Sequence, residues 1–177
     1  LALTVEPGPV ISAAIIAGCA AAWTAHASGQ RRAQECHAMA DKVGGVWDKG
    51  RKESVENAFR STRLGYAADT WSKIERALDA YAASWGAATE RACIATRVRG
   101  ERSEAMLASQ LACLDTRLDE LRALSDVLAR ADPKTVETAV RAVQSLSSIE
   151  VCTDLDRVSV SAQLPTEPAA RAEIRAL

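Results

Sequence analysis

The chain has 177 residues, enough for one domain with a core of its own. Hydrophobic residues make up 48% but aromatics only 4%, and with alanine filling the gap the composition reads as helix, not strand. With 22 basic and 23 acidic residues the net charge is −1, which leaves no electrostatic footprint for nucleic acid. Arg and Glu are interspersed as on a solvated helical face. The first residue is Leu1, not Met, so we expect a piece of a longer protein.

In chain order, the first feature is Val10–Ala27, 18 positions without a formal charge. A bilayer span needs about 20 predominantly apolar residues. Three readings stand side by side: a membrane-spanning or membrane-proximal helix, an alanine-rich soluble helix, and the apolar region of a signal peptide. Arg31 and Arg32 follow the run, and the positive-inside rule would place that side in the cytoplasm. We therefore divide the chain into an apolar segment over 1–29, a helical module over 30–160, and the start of a further helix over 161–177.

Gln30 to Val43 reads as a helix closed by Gly44-Gly45. Val46 to about Arg60 reads as the next, with Val46, Val55 and Phe59 on one side and Trp47 near its start. Residues 61–65 form a break. Trp71, Ile74, Leu78, Tyr81, Trp85, Ala88, Ala92 and Ala95 then follow at alternating spacings of 3 and 4, an unbroken heptad seam. This predicts a helix over about 66–98. Gly100 marks the turn and Ser103 is a candidate N-cap. A second long helix over about 103–130 carries Leu107, Leu111, Leu114, Leu118, Leu121, Leu124 and Leu128. So short a turn makes the pair an antiparallel αα-hairpin with facing seams. Asp132-Pro133 opens a shorter helix to Leu146, with Val136, Val140 and Val143 inward. Residues 147–160 are less regular, and Thr166 and Pro168 begin a last helix. The fold class is all-α: a helical array around the hairpin, akin to tetratricopeptide-like arrays, though without a 34-residue repeat inside the chain.

The same helices carry no recognisable catalytic signature. His26 and His37 lie in no metal-ligand spacing. There is no glycine-rich phosphate loop, no nucleophile elbow and no kinase catalytic motif. Asp48, Glu53, Glu56, Asp69 and Asp79 form no evident acid/base pair. We expect no enzyme activity, cofactor or metal in this chain.

Four cysteines lie outside the apolar run: Cys36, Cys93, Cys113 and Cys152. The lack of a CxxC pair argues against zinc and thioredoxin-like chemistry. Cys93 and Cys113 fall beside their seams, facing other helices more readily than each other. Of three possible connectivities we favour Cys36–Cys93 and Cys113–Cys152, which need an oxidising compartment. The competing reading is four buried thiols in a reducing cytosol. The aromatic stripe Trp71, Tyr81 and Trp85 reads as core, with Tyr81 and Trp85 needing partners for their polar ends. Trp47, Tyr66 and Trp71 are the aromatics to inspect for a ligand pocket.

The strings VWDKGRKESVENAF (46–59), YAADTWSKIERALDAYAASW (66–85), ACIATRVRGERSEAML (92–107) and ACLDTRLDELRALSDVLARAD (112–132) carry a resemblance. Together, over about residues 36 to 157, they resemble the segment after the membrane span in large myxobacterial-type serine/threonine protein kinases. The resemblance implies that Val10–Ala27 is the span, that the module lies outside the cytoplasm, and that the helix from Thr166 leads into tetratricopeptide repeats. ATP binding and phosphoryl transfer would belong to a kinase domain upstream, and none of its catalytic residues has a counterpart here. Arg31-Arg32 departs from that topology. The function expected on this basis is a non-catalytic, membrane-anchored sensor or interaction module with a protein or peptide partner. A cytosolic helical adaptor without a span, and a small-ligand sensor, are the alternatives.

Overall fold

Three helices of this chain start where a short polar side chain can accept an otherwise unpaired backbone N–H. Asp48 accepts from the Arg51 amide at 2.7 Å, Ser103 from Met106 at 3.2 Å, and Asp132 from Thr135 at 2.7 Å. In the computed structural model, which describes residues 26–154, these caps open α2 (Lys49–Ser61), α4 (Glu104–Leu128) and α5 (Pro133–Gln144). Ahead of them, α1 is helical over 26–40 and tightens into a 3₁₀ turn, Asp41–Gly45. Between α2 and α4 runs α3 (Ala67–Cys93), which widens into a π turn, Ile94–Val98. One short turn, α6 (Glu150–Thr153), ends the described chain. No strand occurs among the described residues. The bulk of the run Val10–Ala27, and the expected helix from Thr166, lie outside them. Among the described residues no helix is long and apolar enough to cross a membrane.

The all-α reading holds, and the long hairpin is present at close to the expected bounds. Three local expectations need correction. The second helix starts at Lys49, not Val46, because the Asp48 carboxylate caps it; Val46 and Trp47 precede the cap as buried linker residues. Gly44-Gly45 sit inside the 3₁₀ turn and do not follow a helix end. In α5 the buried residues are Val136, Ala139 and Val143, whereas Val140 is 36% exposed. The buried stripe passes through Ala139 and leaves the adjacent Val140 at its edge.

The seams also serve more than each other. α3 packs against α2 and α5 as well as α4, so the hairpin is the middle of an array and not an isolated coiled coil. The main core joins Val55 and Phe59 of α2, Trp71, Ile74, Leu78 and Trp85 of α3, Leu114, Leu121 and Leu128 of α4, and Val136 and Ala139 of α5. At the far end a small second cluster gathers Cys36, Ala92, Cys93 and Leu107. Here α1 runs antiparallel to α3: Cys36 meets Cys93, and Arg32 reaches the Arg97 carbonyl at 3.4 Å.

The polar ends of the buried Trp85 and the half-buried Tyr81 find partners, as burial requires. The Trp85 indole N–H donates to the Leu114 carbonyl at 2.6 Å, across the hairpin. The Tyr81 hydroxyl donates to the Ser147 carbonyl at 3.0 Å. Ser147 in turn donates from its amide and its hydroxyl to Glu120, each at 3.2 Å. This knot ties the segment after α5 to the hairpin.

Candidate functional site

The four cysteines outside the apolar run form two disulfides, Cys36–Cys93 and Cys113–Cys152, in the favoured connectivity. Their Cα atoms lie 5.4 and 5.5 Å apart, the ordinary spacing for such a bond. Both brackets end on the hairpin: one fastens α1 to the end of α3, the other fastens α6 to α4. Two disulfides are compatible with an oxidising, extracytoplasmic setting.

Of the three aromatics marked for a pocket, two pack in the interior and one lies at the surface. Trp47 and Trp71 are buried, with ring centroids 6.3 Å apart, and Phe59 packs edge-on to Trp71 at 6.2 Å. The Trp47 indole N–H donates to Asp79 at 2.6 Å, and Lys52 pairs with the same carboxylate at 2.6 Å. Tyr66 is 44% exposed and begins α3. These residues lock α2 onto α3, so Asp79, which had no evident partner in the sequence, has two.

Open space lies elsewhere. Two clefts of about 360 and 290 Å³ share Ser84, Ile149 and Glu150 and merge into one shallow groove along α3. Its floor is Ala77, Ala80, Ala83, Ser84 and Ala87; its wall is Val143, Leu146 and Ile149. Side chains this small allow a further helix to approach closely.

Two more clefts flank the hairpin tip. One, of about 410 Å³, is lined by Arg32, Glu35, Thr96, Arg97 and Glu104. The other, of about 130 Å³, is lined by Arg91, Arg99, Arg102, Gln110 and Thr153 over a base of Ala88, Ala92 and Ala95. Trp47, Tyr66 and Trp71 line none of these four clefts. Gln110 is only 1% exposed; it accepts from Arg102 and donates to the Cys152 carbonyl, both at 3.3 Å. The tip itself turns on Gly100 at φ +66°, a conformation only glycine adopts without strain. The amides of Arg99, Gly100 and Glu101 reach back to the carbonyls of Ile94, Thr96 and Ala95. Among the described residues, the hydroxyls of Thr89 and Thr96 and Nε of Arg117 are buried without a hydrogen-bond partner.

Neither the groove nor the tip was singled out from the sequence. The tip arginines are contiguous in RVRGER (97–102), a signal that was readable but passed for a solvated face. The groove could not be found that way, since its wall comes from residues some 60 positions beyond its floor.

Chemically, the site offers donors and small apolar surface. Among the described residues no group of three or more His, Cys, Asp or Glu is placed to hold a metal ion. No protein-family model, no curated protein and no solved structure matches the chain.

Proposed function

We propose that this chain is a non-catalytic helical interaction segment of a membrane-anchored serine/threonine protein kinase, lying outside the cytoplasm and supporting a helical-repeat region that binds a protein or peptide. The pair of disulfides carries the reading, because both brackets hold neighbouring helices to one hairpin and both need an oxidising compartment to persist. The uncharged run over 10–27 supplies the candidate anchor, and the family resemblance supplies the kinase. The alanine-floored groove along α3 supports partner binding, since it leaves room for one more helix in the array.

Thiol labelling tests the compartment. The protein is extracted under native conditions with an alkylating agent and no reductant, then denatured and labelled again. Only Cys19, in the apolar run, is expected to react. Labelling of Cys36, Cys93, Cys113 and Cys152 as well would sink the extracytoplasmic reading and favour a cytosolic adaptor.

A further inference from the structure

The hairpin tip stands at one end of the molecule with an unusual surface. Val98 is 39% exposed and sits between Arg97 and Arg99, with Arg102 just across the Gly100 turn. Arg31 and Arg32 of α1 lie at the same end, since Arg32 reaches the Arg97 carbonyl. Acids are interspersed among them, and Glu150 shares a cleft with Arg91 and Thr153. Glu101 is paired with Arg99 at 2.7 Å, Glu104 lies 3.5 Å from Arg97, Glu35 shares the cleft with Arg32, and Asp154 follows Thr153. Arg91 has no ion-pair partner among the described residues, and Arg102 is steered over the smaller cleft by the buried Gln110.

The direction of α1 adds an independent observation. Pairing runs from Cys36 with Cys93 to Arg32 with Arg97, so the start of α1 points past the tip. His26 and Ala27, the first described residues of α1, belong to the uncharged run over 10–27. If that run is an anchor, the first surface of the module to meet the bilayer is the arginine-rich tip.

We infer that the hairpin tip is a membrane-contact surface that binds the phosphates of anionic phospholipid headgroups. Arg97, Arg99 and Arg102 hold the phosphates, the cleft of about 130 Å³ admits one, and Val98 enters the interface between them. This rests on the reading of Val10–Ala27 as the anchor. It also gives Arg31-Arg32 a place in the headgroup layer of the same leaflet. The two disulfides fix the geometry, holding α1 and α6 on either side of the tip.

The test is flotation of the full 177-residue chain, disulfides intact, with vesicles of phosphatidylcholine or of equimolar phosphatidylcholine and phosphatidylglycerol. Binding to neutral vesicles reports the apolar run, and its absence would remove the anchor reading. The ratio of anionic to neutral binding reports the tip. A preference for anionic vesicles that fades with salt is expected, with each lost arginine lowering it about fivefold. Arg99→Gln touches no interior contact and should show this loss alone; R99Q/R102Q should deepen it, and R99K/R102K should restore most of it. An equal ratio for the wild type and R99Q overturns the proposal. So does cancellation of the preference by inorganic phosphate but not by chloride of the same ionic strength, which would make the site one for free phosphate.

Discussion

The two ends of the long hairpin are built on different principles. At the open end, α2, α3, α4 and α5 meet, and Trp47, Phe59, Trp71, Leu121 and Leu128 share a continuous apolar core. At the tip, a cluster of four buried residues serves, with Cys36–Cys93 and surface arginines around it. Burial of large side chains holds one end; a covalent bond and the π turn shape the other. Area buried per residue is what small or peripheral clusters lack, and a disulfide substitutes for it by restricting the unfolded chain. The end left short of apolar cover is also the end free to present charge.

The sharpest way to break this contrast is to cut into each cluster. Trp85→Ala removes a fully buried indole from the main core and leaves the Leu114 carbonyl without its cross-hairpin donor. It should cost about 3–5 kcal/mol, read as a fall in urea midpoint with an unchanged slope. A comparable cost for Leu107→Ala in the tip cluster would mean that the two ends are packed alike, against the contrast drawn above.

Replacing Cys36 and Cys93 together by Ala should cost about 2–4 kcal/mol. The loss should be local: amide exchange accelerates over residues 26–40 and stays slow in the middle of α3 and α4. If exchange rose uniformly, α1 would be part of the global fold and not a helix that depends chiefly on its disulfide.

A smaller effect tests the polar knot between the two ends. Burial, and then the nearby Glu120 carboxylate, push the Tyr81 phenol up to about 12. A raised pKa means that the neutral phenol is favoured by folding. Its contribution is complete below the ordinary value of 10.0 and is lost as pH rises toward 12. Tyr81→Phe should cost about 1 kcal/mol at neutral pH by leaving the Ser147 carbonyl unpaired. It should also flatten the alkaline limb of the stability profile. A wild-type limb no steeper than the variant's between these values would mean that the phenol is not held neutral.

Much of this was readable from spacing. The heptad seam located α3 and α4, the Asp132-Pro133 pair located α5, and the offset of Cys93 and Cys113 from their seams favoured the right pairing among three. These are local or pairwise signals. What escaped depends on several elements at once. Val140 looked inward because apolar character alone does not say which of two adjacent positions faces a neighbour. The contact of Phe59 with Trp71 was likewise hidden, because a sequence shows aromatic content but not which rings meet. Gln110, buried and bonded on both sides of its amide, gave no signal, since glutamine on a helix is ordinarily exposed.

The smallest prediction concerns Arg63, at the end of α2. It is the one non-glycine residue among those described with a left-handed backbone, at φ +58°. A side chain costs about 1–2 kcal/mol there, because its Cβ crowds the following carbonyl. Glycine would relieve that strain but lose more freedom on folding, so Arg63→Gly should gain only about 0.5–1 kcal/mol. Arg63 is exposed and belongs to neither cluster, so the gain should raise the melting temperature without altering exchange at the tip or the vesicle preference. A substitution here that shifted either one would show that the turn between α2 and α3 is coupled to the far end, and the two ends would then have to be treated as one cooperative unit.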